Sequence, residues 1–208
     1  MESISYALGV LFADNLKQQG ISNINADELA TALAAQLEGK ADLSPEQANE
    51  IVGKIMQEKQ AIAGEEARVA SEDFLAKNAK LDGVIITPSG LQYTAIEVGE
   101  GATPVASDKV TVHYSGSLID GTVFDSSYER GTPASFPLEG VIPGWTEGLQ
   151  LIKEGGKIKL VIPAELGYGE HGAPPKIPGG STLVFEVELF TIKTSGKGEK
   201  KSPKKIKG

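Results

Sequence analysis

GTVFDSSYERGTPASFPLEGVIPGW, residues 121–145, is the stretch whose reading decides the fold. Its turn residues place it on the surface, where segments rich in Gly, Pro and Ser normally lie. Yet it carries four aromatics, Phe124, Tyr128, Phe136 and Trp145, and the apolar pair Val141 and Ile142. Large apolar side chains spaced along turn sequence point to a concave apolar site built by loops.

On both sides of this stretch the hydrophobic period is two. Val110, Val112 and Tyr114 alternate with Thr111 and His113, and Asp120-Gly121 marks a hairpin turn. Ile158, Leu160 and Ile162 alternate with Lys157, Lys159 and Val161, and Leu183, Phe185, Val187 and Leu189 with Val184, Glu186 and Glu188. This patterning predicts an antiparallel sheet with one buried and one wet face. Trp145, Leu149 and Ile152 fall at i, i+4 and i+7, which predicts a short helix entered by Pro143-Gly144 and closed by Gly155-Gly156. One helix on one face of such a sheet is a compact α+β layer, with a half-open cavity between them floored by Trp145.

The first eighty residues read as helical. Ile4, Leu8, Phe12 and Leu16 recur at i+4 up to a stop near Gly20; Asn25 and Glu28 form a candidate capping box ahead of Leu29, Leu33 and Leu37, which end at Gly39. Ser44, Pro45 and Gln47 mark a third start, and no proline follows until Pro88, so the spacing allows a helix of about 35 residues. Its first part offers Ile51, Val52, Ile55 and Met56 as a face on which the other two helices can pack. Beyond it only Ile55, Ile62 and Val69 continue, beside Ala63, Ala67 and Ala70, as in a mostly solvated bridge between domains. The predicted organisation is a helical dimerisation domain over 1–56, an exposed linking helix over 57–82, a sheet domain over 83–193 and a disordered Lys-rich tail over 194–208. Two short helices and half of a third make a small core, so homodimerisation is expected; a monomeric three-helix cap is the alternative.

The chain has 208 residues and a net charge of −8, which argues against nucleic acid as the main partner because phosphate binding needs a basic footprint. Weak electrostatic contact through the tail, with its six lysines and one glutamate, is the only opening for it. Cysteine is absent, which excludes disulfides and thiolate chemistry. No segment is apolar for long enough to span a membrane. The N-terminal segment has no basic region and its apolar run breaks at Asp14, which does not read as a signal peptide and points to the cytoplasm. A periplasmic protein whose leader has been removed would read the same way.

Several chemistries fall away. His113 and His171 are the only histidines, so no metal cluster is expected, and no GxxxxGK[ST] phosphate loop is present. Asp125-Ser126-Ser127 brings hydroxyls near a carboxylate, but no base is positioned to activate them. What remains is an aromatic pocket with few polar groups, suited to an apolar and conformationally restricted ligand such as a proline-containing peptide. Rotation about an X–Pro amide needs no acid, base or nucleophile: its barrier of about 18–20 kcal/mol comes from resonance in a planar, dipolar amide. A pocket that favours the twisted, less dipolar state lowers that barrier by differential stabilisation. The residues allow this function without requiring it.

Four separated motifs, VHYSGSLIDGTVFDSS (112–127), VIPGW (141–145), AELGYG (164–169) and IPGGSTLVFEVEL (177–189), occur in this order and resemble the FKBP-type peptidyl-prolyl cis/trans isomerase domain over about residues 91–193. The helical front end, with ISYALGV at 4–10, is similar to the dimerisation region of the bacterial two-domain enzymes of the macrophage-infectivity-potentiator kind. The resemblance implies a curled antiparallel sheet wrapped around a short helix, no cofactor, and a pocket lined by Tyr114, Phe124, Asp125, Arg130, Phe136, Val141, Ile142, Trp145, Tyr168, Ile177 and Phe185. It seats the prolyl ring on Trp145 beside Phe124, puts the Asp125 carboxylate, paired with Arg130, near the substrate carbonyl, and makes the Tyr168 hydroxyl and Ile142 N–H donors to the bound peptide. It implies unfolded protein clients as partners and macrolide inhibitors such as rapamycin as ligands. Each aromatic also reads as core, and Asp125 with Arg130 as a surface ion pair of small value. The alternative function is a non-catalytic dimeric chaperone or assembly factor that binds proline-containing clients. Ala134 stands where the pattern often has an aromatic, Ala173 where a histidine is common, and Gly179-Gly180 replace a bulkier pair; these departures are expected to alter the pocket rim and leave the floor intact.

Overall fold

The computed structural model describes residues 3–194. Three helices come first, α1 (Ile4–Gln18), α2 (Ala26–Leu37) and α3 (Pro45–Asn78). Seven strands and one helix follow: β1 (Ile85–Ile86), β2 (Gln92–Glu97), β3 (Lys109–Leu118), β4 (Val123–Ser126), β5 (Ala134–Pro137), α4 (Pro143–Gly148), β6 (Lys157–Ile162) and β7 (Leu183–Lys193). The Lys-rich tail expected from residue 194 falls, from 195 on, outside the described residues. Among the described residues no helix is long and apolar enough to cross a membrane.

All strand pairs are antiparallel, in the order β1-β2-β6-β7-β3-β4, with β5 added to β3. The period-two residues do what the pattern demands: Val110, Val112 and Tyr114 on β3 and Leu183, Phe185, Val187 and Leu189 on β7 are all buried. Val161, predicted to face water, is buried as well, so the end of β6 is covered on both faces. The helix after Val141-Ile142 is shorter than its period implies. α4 spans six residues, Leu149–Leu151 form a single 3-10 turn, and Ile152 leaves the helix in extended backbone while remaining buried.

α4 lies very close to β6 because two glycines face the strand. A Cβ added to Gly144 would stand 2.5 Å from Ile162 Cγ2, and one added to Gly148 2.6 Å from Leu160 Cδ2. Positions i and i+4 share one helix face, so the pair clears a flat strip along α4. That approach places Trp145, Leu149 and Ile152 in the core.

α3 starts as its sequence requires. The Ser44 hydroxyl accepts the Gln47 N–H, the Gln47 side chain accepts the Ser44 N–H, and Pro45 occupies the first turn. Asn25 caps α2 by accepting the Asp27 and Glu28 N–H groups, without a reciprocal bond from Glu28. The second half of α3 is mostly exposed, and only Ser71 and Asn78 on it are buried. Its apolar row Ile55, Ile62 and Val69 is exposed, while the face bearing Gly64, Ser71 and Asn78 meets the sheet domain. Buried Asn78 donates to Gln92 Oε1 at 2.8 Å, Gln92 donates back to Leu75 O at 3.0 Å, and Ser71 Oγ accepts the Thr182 N–H at 2.7 Å. Small residues and satisfied polar groups, rather than a branched apolar stripe, make this contact. Towards the other end, α1 and α2 bury no residue within the chain, and Ile51, Val52 and Ile55, expected to receive them, remain open.

The close seating of α4 sets a stability test. Gly144→Val should overpack the α4–β6 contact and cost about 1–3 kcal/mol, read as a fall in the urea midpoint at unchanged m-value. A midpoint equal to that of the parent would show that the contact is not tight.

Candidate functional site

The site is a cavity of about 320 Å³ between α4, the loop ahead of it and the inner face of the sheet. Trp145 forms the floor and is 4% exposed. Three rings stand nearly perpendicular to it, Tyr114 at 5.0 Å and 87°, Phe185 at 5.2 Å and 82°, and Phe136 at 5.7 Å and 88° between centroids. Phe124 stands edge-on to Phe185 at 5.5 Å. Edge-to-face contacts of this kind contribute about 0.5–1.5 kcal/mol each beyond their buried area, so the walls are rigid without a ligand. Val141 and Ile142, half-buried, and Tyr168, 42% exposed, complete the rim.

One wall is polar. Asp125 on β4 accepts hydrogen bonds from the Tyr114 hydroxyl on Oδ2 and from Arg130 Nη1 on Oδ1, and Arg130 Nη2 donates to the Tyr114 hydroxyl at 2.8 Å. The guanidinium carbon also lies 5.5 Å from the Tyr114 ring centroid. Arg130 reaches back because the Tyr128–Gly131 turn closes through the Gly131 N–H to Tyr128 O at 3.0 Å, with Gly131 at φ +71°, a conformation that favours glycine. Burial pushes the Asp125 carboxyl up, but the hydrogen bonds from Tyr114 and Arg130 and the guanidinium charge outweigh it and hold the group below the usual carboxylate range. Burial first, then the bond to Asp125, raises the Tyr114 hydroxyl above the usual phenol range, which keeps it a donor. Both partners of the ion pair are nearly half exposed, so it adds little stability and acts chiefly to orient the carboxylate.

Two donors remain free. Among the described residues neither the Ile142 N–H, which precedes the first turn of α4, nor the Tyr168 hydroxyl makes a hydrogen bond. The site therefore offers an apolar floor, a fixed carboxylate at one side and two unpaired donors near the mouth. Among the described residues no group of three or more His, Cys, Asp or Glu side chains is placed to hold a metal ion.

Of the eleven residues singled out in the sequence, nine line the cavity. Arg130 stands behind Asp125 rather than in the wall, and Ile177 is buried in the core beneath its loop. Tyr128, first grouped with the pocket aromatics, lies on the other face of the sheet, stacked on His113 at 4.5 Å. His113 bonds Ser127 Oγ at 2.8 Å and is structural. Ser127 is fully buried, and its hydroxyl is committed to the backbone N–H and C=O of Tyr114. Ala134 pairs with Val112 in the sheet, Ala173 bridges to Ile177, and neither lines the cavity.

Three contributors escaped the sequence reading. Gly140 lines the rim. Gly116 makes room for the aromatic wall, since a Cβ there would lie 2.5 Å from Phe185 and 2.8 Å from Phe124; a glycine inside a strand pattern is the signal that marked it. Lys176 donates to Phe124 O at 3.0 Å and straps its loop over β4, with no signal in the sequence.

Comparison with known proteins gives concordant matches. Residues 100–190 match the family model of the FKBP-type peptidyl-prolyl cis-trans isomerases, and residues 1–95 that of the domain amino terminal to them. The chain is 45% identical to a probable FKBP-type peptidyl-prolyl cis-trans isomerase FkpA of Neisseria meningitidis serogroup B, covering 99% of this chain and 79% of the relative. It is also 45% identical to the FKBP-type 22 kDa peptidyl-prolyl cis-trans isomerase of Escherichia coli, over 90% and 93% of the two chains. The crystal structure of FkpA from Escherichia coli superposes with a TM-score of 0.68 at 40% identity, covering 93% of this chain and 94% of that one.

The state of Asp125 has a measurable consequence. Because its carboxyl is held low, its bonds to Tyr114 and Arg130 are fully present above the ordinary value of about 3.9 and are lost as pH falls through the lower folded value. Carboxyl NMR titration should therefore find Asp125 ionised throughout pH 5–8, and Tyr114→Phe should move its midpoint upward. A midpoint above the ordinary value in the parent protein would contradict the assignment.

Proposed function

This chain belongs to the FKBP-type peptidyl-prolyl cis-trans isomerase family and catalyses rotation about X–Pro bonds in proline-containing substrates, and we propose that it does so in the cavity over Trp145. The observation that carries this reading is the rigid aromatic floor and walls with one carboxylate fixed at the side. The prolyl ring sits on Trp145 between Tyr114, Phe136 and Phe185. Burial of the ring anchors one side of the amide, and the carbonyl side turns against it.

In the planar ground state the amide is strongly dipolar, and twisting removes the resonance that makes it so. An apolar, water-poor cavity disfavours the dipolar form relative to the twisted one. Asp125 stands where the carbonyl swings, while the Ile142 N–H and Tyr168 hydroxyl hold the flanking peptide. No covalent bond forms and no proton moves; catalysis is differential binding of the twisted amide. A macrolide such as rapamycin that presents a ring of similar shape would occupy the same floor.

The open faces of α1, α2 and the first half of α3 support a second proposal, homodimerisation. Ile4 is 76% exposed, Leu8 59%, Leu33 61% and Leu37 81%, too much apolar surface at one end to leave to water. A second copy would supply the core that one set of helices lacks.

Two measurements test these readings. Asp125→Asn and Trp145→Leu should each lower kcat/KM on a short X–Pro peptide by roughly tenfold or more, the scale of one lost transition-state contact. Undiminished turnover in both would falsify the pocket assignment. Sedimentation equilibrium of the full chain should give a dimer at micromolar concentration; a monomer would overturn the proposal for the helical end.

A further inference from the structure

The loop from Tyr168 to Thr182 closes one side of the cavity, and it is bonded to itself along its length. The Gly172 N–H donates to Tyr168 O at 3.1 Å, Ala173 and Ile177 exchange N–H bonds at 2.8 and 3.1 Å, and the Gly180 N–H donates to Gly169 O at 3.0 Å. Its turns are packed to contact. A Cβ on Gly172 would stand 2.2 Å from Ile177 O, and one on Gly179 1.9 Å from Glu170 O. The arch therefore moves as one piece, and its position is set where its base is held.

That base is held by α3. Ser71, buried, accepts the Thr182 N–H at 2.7 Å, and Thr182 is buried too. One turn earlier, a Cβ on Gly180 would lie 3.1 Å from Arg68 Cβ and 3.4 Å from Gly64 O, and Gly180 takes φ +72°. The Arg68 guanidinium is forked between Glu65 and Glu72, which keeps the stem lying over Gly180. Gly179-Gly180 thus fit the helix and the loop's own return, and neither lines the cavity. Only residues without side chains allow α3, the Gly180 backbone and the Glu170 carbonyl to meet.

We propose that α3 is part of the isomerase site, with Ser71 as a positioning residue that acts through the 168–182 arch on Tyr168. The path is short: Ser71 to the Thr182 N–H, Gly180 to Gly169 O, and Gly169 to its neighbour Tyr168 on the pocket wall. The helix that carries the N-terminal arms thereby also sets where Tyr168 stands. This rests on the assignment of Tyr168 to the prolyl pocket.

The test is a double-mutant cycle in the full-length chain, with Ser71→Ala and Tyr168→Phe assayed on a short X–Pro peptide, together with amide hydrogen exchange. Ser71→Ala should lower kcat/KM by about fivefold, the scale of one buried hydrogen bond, and by much less in the Tyr168→Phe background. Exchange at the Gly172 and Gly180 N–H groups should accelerate while exchange in β7 does not. Equal losses in both backgrounds would show that Ser71 does not act through Tyr168 and overturn the proposal. A loss with Tyr168→Phe and none with Ser71→Ala would also overturn it while leaving the pocket assignment standing. No loss with Tyr168→Phe would fail the pocket assignment itself, and the positioning of the arch would then be decided by exchange at Gly172, supported by acceleration and overturned by none.

Discussion

Trp145 is held by three rings set nearly perpendicular to its own, and that arrangement depends on how closely α4 approaches β6. With side chains larger than hydrogen at Gly144 and Gly148, the helix would have to ride higher and the indole would rise with it. The floor would then intrude on the cavity above it. Close packing makes such a shift costly, because neighbours in a dense core cannot absorb it locally. Gly116 makes the same concession on the opposite wall, letting Phe124 and Phe185 meet over the strand. The apolar pocket is in this sense a product of three missing side chains as much as of six aromatic ones.

Apart from the Ile142 N–H and the Tyr168 hydroxyl at the mouth, polarity enters the site from one wall. Asp125, Tyr114 and Arg130 satisfy one another, so the carboxylate stays ionised beside an apolar cavity without a buried, unpaired charge. Ser127 secures the backbone of Tyr114 from behind, and His113 secures Ser127. The orientation of the carboxylate is thus fixed by contacts outside the cavity, which leaves its interior for the ligand. A reaction that consists of turning one bond needs this kind of stationary surround more than it needs a reactive group.

The helical end is built on the opposite principle. Its apolar faces are open within one chain, while the other half of α3 joins the sheet domain through glycine, serine and paired amides. One helix therefore presents two kinds of face, its branched apolar row and its small polar side pointing in different directions. Periodicity picks out the thin row Ile55, Ile62 and Val69 but not the face that meets the sheet domain, because hydrophobic recurrence is the usual signal for burial. Hydrogen bonds between buried polar groups leave no such signature.

Much of the architecture was legible in the residues alone. Period-two alternation marked β3, β6 and β7, the Ser44–Gln47 box and the absence of proline bounded α3, and the aromatics among turn residues marked the pocket. These follow from local rules, since backbone geometry decides which side chains share a face. Nine of the eleven expected lining residues could be named because four motifs kept their order and spacing. Tertiary structure alone decided that Tyr128 lies outside the pocket, that Arg130 stands behind Asp125 rather than in the wall, that Lys176 straps its loop, and that Gly179-Gly180 answer to α3. Each joins residues distant in sequence, where only the folded distance determines whether a charge finds its partner or a Cβ finds room.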